Sequence, residues 1–129
     1  MRLILLAFAF ISPLLLANPL VGTWEFVRGE YATPEGKVSA SAPTVTSTKI
    51  INNTHFSYIT SSNNKFHYAG GGTYEIKDNY FIEVVTLGNV ENLIGRRMAF
   101  TFEIKGNLWH HKLVENGKFV EYEVWKKVK

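Results

Sequence analysis

No cysteine occurs among the 129 residues of this chain. That excludes disulfide-stapled scaffolds and thiolate metal sites, and it closes the route to a lipid-anchored bacterial lipoprotein, which needs a cysteine at its cleavage point. Stability has to come from packing alone. Long apolar runs are missing after Leu16, and from Leu20 onward no segment repeats with the period of a helix. An excess of one charge is scarce too. The formal net charge is +3, but Arg2 stands at the start and Lys126, Lys127 and Lys129 crowd the end, leaving a near-neutral body with interleaved signs. A nucleic-acid surface needs a stripe of Lys and Arg with aromatics between them, so no nucleic-acid partner is expected. Enzyme signatures are also absent: there is no Gly-x-Ser-x-Gly elbow and no phosphate loop, and Gly70, Gly71 and Gly72 fall inside a strand pattern instead of opening a helix. No catalytic residue and no cofactor is expected.

What is present begins with Met1 and Arg2 followed by an apolar run from Leu3 to Leu16, broken by Ser12 and Pro13. A positive start and a short greasy middle make a secretory signal peptide, with small Ala17 before the cleavage point. A membrane span would need about 20 apolar residues, and Pro13 would interrupt this one. The expectation is a signal peptide over 1–17 and one domain over 18–129, secreted or periplasmic, with no stable membrane span after processing.

From Leu20 on, apolar and polar residues alternate with a period of two, in short runs punctuated by Gly, Asn, Asp and Pro, which is the pattern of an all-β domain. Eight strands are expected: Val21 to Arg28, Val45 to Ile51, Thr54 to Thr60, Phe66 to Lys77, Tyr80 to Leu87, Arg96 to Lys105, Leu108 to Val114 and Phe119 to Val128. Gly29 to Pro43 and Gly88 to Gly95 read as open loops, of the kind that cover a barrel mouth. The three glycines permit a bend or bulge that helps a small sheet close. Gly106 with Asn107, and Asn116 with Gly117, are two-residue hairpin turns. Strands joined in simple order by tight turns pair up-and-down, and closing that meander removes exposed edges, which predicts an eight-stranded antiparallel barrel.

Tight turns also propagate faces. With Phe102 and Ile104 inside, Trp109, His111 and Leu113 follow, and the step across Asn116 and Gly117 places Val120, Tyr122 and Val124 inside with Glu121 and Glu123 in solvent. Across Asp78 and Asn79 two registers stay open, one sending Phe81, Glu83 and Val85 inward, the other Tyr80, Ile82 and Val84.

Gly22, Thr23 and Trp24 reproduce a Gly-x-Trp element, and Glu123 to Lys127 forms a Glu-Val-Trp-Lys-Lys tail. With these two features the chain resembles small secreted bacterial lipocalin-like domains of the calycin superfamily, whose function is largely unassigned. Lys49 to Phe56, Gly70 to Tyr74 and Glu83 add to the likeness, which spans Leu20 to Lys129. The resemblance implies that Gly22 and Trp24 close one barrel end, with Lys126 or Lys127 over the indole where lipocalins favour Arg; lysine stacks less well than planar guanidinium.

Aromatics make up 14% of the chain, and a barrel of eight strands is just wide enough either to be filled by its own side chains or to hold one small ligand. The leading expectation is an exported protein holding a small apolar or amphipathic molecule in its lumen, with Phe26, Phe56, Tyr58, Tyr74, Phe102, Trp109 and Tyr122 as lining and Glu83 and His111 as polar contacts. The alternative is a packed barrel without ligand, acting through its surface as an envelope interaction or structural module. A third, an enzyme using a lumen carboxylate and a histidine, has no support from spacing. A buried Glu83 must find a partner or take up a proton, and His111 and His55 are the candidates. His110 and His111 point to opposite faces and cannot readily chelate one ion, so no metal site is expected.

Overall fold

The computed structural model describes residues 17–128. The expected signal peptide, apart from Ala17, lies outside the described residues. Strands β1 (Gly22–Thr33), β2 (Gly36–Ser41), β3 (Val45–Ile51), β4 (His55–Ser62), β5 (Lys65–Lys77), β6 (Tyr80–Gly88), β7 (Arg97–Lys105), β8 (Leu108–Glu115) and β9 (Lys118–Lys127) follow one another, with a single 3-10 turn over Glu91–Leu93. All pairings are antiparallel, β3 to β9 bond in sequence order, and β1 pairs with both β3 and β9. Eight strands therefore close into an up-and-down barrel. Among the described residues no helix is long and apolar enough to cross a membrane.

The ninth strand corrects the expected loop over Gly29 to Pro43. β1 runs on to Thr33 and folds back as a hairpin with β2, Thr33 opposite Gly36. Proline and serine masked the alternation, yet backbone pairing needs only extended residues with free N–H groups, and Pro34 sits in the turn where it has no ladder bond to make. Beside β1, β3 occupies the lower part from Gly22 to Glu25 and β2 the upper part from Arg28 to Thr33. The long strand thus carries Tyr31 to the barrel mouth.

Four register shifts interrupt the ladders: one leaves His67 extra on β5, and three decide which side chains of β1, β6 and β9 face inward. On β1 the register against β9 shifts between Phe26 and Arg28, so Trp24 and Phe26 share the inner face with Gly29 and Tyr31. Gly71 and Gly72 adjoin a second shift, with Thr86 the extra residue on β6. A Cβ on Gly72 would collide with the Val84 carbonyl oxygen, so only glycine lets β5 and β6 approach there. The third shift lies on β9. The Asn116 and Gly117 turn pairs Glu115 with Lys118 as a two-residue hairpin, but Val114 then faces Phe119 and Leu113 faces Glu121, leaving Val120 extra.

A strand's side-chain period is two, so one inserted residue inverts every face beyond it. This overturns the expected facing of β9: Glu121, Glu123 and Trp125 turn inward, and Tyr122 and Val124 outward. On β6 the Asp78 and Asn79 turn pairs Lys77 with Tyr80, which selects the register with Phe81, Glu83 and Val85 inside.

The core fills the lower half of the barrel. Trp24, Phe56, Phe81 and Trp109 pack in edge-to-face contacts, with Trp24 to Trp109 at 5.4 Å and Phe81 to Trp109 at 5.3 Å between ring centroids. Leu20 and Ile51 complete this floor. The Trp24 indole donates to the Leu20 carbonyl at 2.8 Å, so its one polar atom is satisfied in the interior. Lys127 Nζ lies 5.1 Å from the Trp24 ring centroid and donates to the Pro19 carbonyl, while Lys126 is exposed. Of the two lysines, Lys127 is the one over the indole.

Candidate functional site

Above that floor the lumen is open. A cavity of about 830 Å³ is bounded by apolar Phe26, Val45, Met98, Phe100, Leu113 and Val120 and, at the mouth, by the segment from Asn89 to Leu93 with Arg96. This segment is pinned to the rim: the Asn89 side-chain oxygen accepts from Ala69 N at 2.8 Å, and Gly95 N donates to the Val85 carbonyl at 2.7 Å. The volume suits a drug-sized molecule.

Polar groups concentrate at the junction of cavity and floor. Glu123, on the inward face created by the β9 bulge, accepts hydrogen bonds from Tyr31 Oη at 2.8 Å, His111 Nε2 at 2.9 Å and Trp125 Nε1 at 2.7 Å. Tyr31 reaches it by folding its ring back over Gly29, where a Cβ would stand 2.5 Å from the phenol oxygen. Burial alone would raise the Glu123 carboxyl, but the His111 hydrogen bond and charge, Lys49 and the Tyr31 hydroxyl outweigh it and hold the group down at about 2. Glu123 is therefore a carboxylate with donors on both oxygens. Burial pushes the His111 imidazole down, against the pull of Glu123. Its Nε2 is engaged with Glu123, and its Nδ1 is buried without a partner.

Lys49 comes from the inner face of β3, opposite Trp24, and is 4% exposed. Its Nζ stands 4.6 Å from the Trp125 ring and 5.1 Å from the Trp109 ring. Its charge rests on aromatic faces, with no carboxylate within ion-pair distance among the described residues.

Glu83 and Glu121 are of another kind. Both line the cavity, and neither forms an ion pair among the described residues. Glu83 is 5% exposed and its Oε2 has no hydrogen-bond partner. Burial raises its carboxyl to about 7, with Lys49 pulling down and Glu123 pushing up. Burial, Glu123 and Glu83 together raise Glu121 to about 8. The nearby Arg96 guanidinium is paired with Glu115. On the cavity wall, Tyr58 and Tyr68 present phenols raised chiefly by burial, Tyr58 to about 12.

Of the residues singled out from sequence, Phe26, Tyr58, Glu83 and His111 line this cavity. Phe56, Tyr74 and Trp109 do not, because they sit lower and pack the floor around Phe81. Phe102 is half-buried beside the Asp78 and Asn79 turn, beyond the start of β6, and also misses the cavity. Tyr122 lies on the outer face, its hydroxyl 2.7 Å from His110 Nδ1, as a consequence of the Val120 bulge. Glu83 does not pair with a histidine: His111 is hydrogen-bonded to Glu123, and His55 is exposed at the start of β4, with Nδ1 2.7 Å from Thr54 Oγ1. Sequence reasoning missed Tyr31, Lys49, Glu121, Glu123 and Arg96. For Lys49 a signal existed, since alternation puts it on the same face as Ser47 and Ile51. For Glu121 and Glu123 the alternation pointed the wrong way.

No group of three or more His, Cys, Asp or Glu side chains among the described residues is arranged to hold a metal ion. Comparison with known proteins finds no matching family model and no significantly similar curated protein.

Proposed function

We propose that this is a lipocalin-like binding protein that holds one small amphipathic molecule in its lumen. The observation that carries the reading is the division of the barrel: a close-packed aromatic floor below, and a cavity of about 830 Å³ above it with buried, unpartnered Glu83 Oε2 on its wall. A buried polar atom without a partner costs about 1 to 3 kcal/mol, and a ligand donor would remove that cost. The apolar wall takes the ligand's body, and the carboxyls and phenols orient its polar end. A surface-acting module filled throughout would have no use for such an opening. The closed up-and-down order, with Lys127 over Trp24, supports the lipocalin-like assignment. The pattern from Met1 to Ala17 supports export, secreted or periplasmic, and mass analysis of the N-terminus of protein from its host tests that.

Titration with the neutral fluorophore N-phenyl-1-naphthylamine tests binding. One equivalent is expected to bind, with quenching of Trp125 at the cavity wall, and Met98→Trp is expected to narrow the lumen and weaken binding. Absence of binding by the folded wild-type domain would favour the surface module. Native mass spectrometry of protein from its own host then identifies the ligand by mass.

A further inference from the structure

We propose that the preferred ligand is an organic cation, a protonated amine on an apolar body, with its ammonium seated between Glu83 and Glu121. This rests on the lumen-binding reading above and narrows it to one chemical class.

The inference follows from counting which charges inside the barrel are already answered. Glu123 has a donor on each oxygen, from Tyr31, His111 and Trp125. Lys49 lies on the Trp109 and Trp125 rings. One carboxylate and one ammonium thus offset each other's charge at the base of the cavity. Arg96 at the mouth is taken by Glu115. Besides Glu91, which is solvent-exposed at the mouth, two carboxyls remain, Glu83 from β6 and Glu121 from β9, both on the cavity wall and neither in an ion pair among the described residues. The Oε2 atom of Glu83 is buried without a partner, so the wall presents an acceptor, and a cation with N–H donors supplies both missing elements at once. The raised positions of both carboxyls, about 7 and about 8, express the same want of a counter-charge. An anionic head group would meet three carboxyls and a lysine already engaged, and a neutral hydroxyl would satisfy Oε2 without answering the second acid.

Three probes with one body separate the cases: 2-naphthylmethylamine, 2-naphthalenemethanol and 2-naphthoate, each titrated by calorimetry at pH 7.5. The amine is expected to bind at least tenfold tighter than the alcohol, and the carboxylate weakest. Glu83→Gln and Glu121→Gln, checked for folding by circular dichroism, should each weaken the amine about tenfold and leave the alcohol unchanged. Equal binding of amine and alcohol, tightest binding of the carboxylate, or an amine preference that survives in the double variant overturns the cation assignment while leaving a lumen-binding protein. Failure of all three probes together with N-phenyl-1-naphthylamine overturns the binding reading itself, and this inference with it.

Discussion

His111 on β8 and Glu123 on β9 stand directly opposite each other across the ladder, and their side chains meet inside the barrel at 2.9 Å. Charge-assisted hydrogen bonds of this kind are among the stronger ones in proteins, and Glu123 collects three. Glu123→Gln should cost about 2 to 4 kcal/mol, because an amide cannot accept from all three donors without turning an N–H toward one of them. Tyr31→Phe should cost about 1 to 2 kcal/mol by removing one donor. Urea denaturation at pH 7 measures both, and a Glu123→Gln midpoint equal to wild type would show that the cluster does not hold β1, β8 and β9 together.

Acid stability should have an unusual shape. Glu123 is held at about 2, below its unfolded value, so its contribution is present above about pH 4.5 and is lost as pH falls toward 2. Glu83 and Glu121 are raised to about 7 and about 8, so between pH 4.5 and 8 the folded state binds more protons than the unfolded one. Stability then falls as pH rises through that window, by a few kcal/mol in order of magnitude, and levels off above it. In the absence of ligand the domain is expected to be most stable near pH 5, and Glu83→Gln should flatten the decline and be more stable than wild type at pH 8. Thermal melts from pH 3 to 9 check this, and a wild-type optimum at pH 7 to 8 would contradict it.

The floor offers a contrast between neighbouring lysines. Trp24→Ala should cost about 3 to 5 kcal/mol, since it empties the centre of the aromatic cluster. Lys127→Ala should cost about 1 kcal/mol through loss of the cation over the indole, with Lys127→Arg retaining it. Lys126→Ala, on the exposed face, should leave the melting curve where it is.

Backbone approach at the three glycines gives a further expectation. Gly72→Ala forces its Cβ against the Val84 carbonyl oxygen, which is backbone and cannot swing aside. The β5 to β6 ladder has to part, at a cost of about 3 kcal/mol or more. Gly36→Ala places its Cβ in open space, so only its positive φ of 131° opposes the change. The two variants compared by denaturation, with Gly72→Ala the weaker by far, separate crowding from backbone preference.

Much of the architecture was legible in the sequence. The alternation of Phe100, Phe102 and Ile104 with Thr101, Glu103 and Lys105 marked β7. Gly106 with Asn107 and Asn116 with Gly117 marked its neighbours' turns, because φ above zero is cheap there for glycine and asparagine. The site was less legible. Tyr31 lay in a stretch whose proline and serine resembled a loop, and Glu121 and Glu123 looked like ordinary solvent-facing acids on an amphipathic strand.

The sequence by itself determined an all-β domain, the number of barrel strands and their up-and-down order, because apolar alternation and turn chemistry act between near neighbours. Tertiary structure decided which charges entered the barrel. The glycines opposite Thr86 marked one bulge, but the extra residues near Val27 and Val120 have no compositional mark, and they are visible only in how the paired strands register. With a side-chain period of two, the Val120 insertion alone exchanged Tyr122 for Glu121 and Glu123 on the inner face, and so placed acids in the lumen where alternation had placed a phenol.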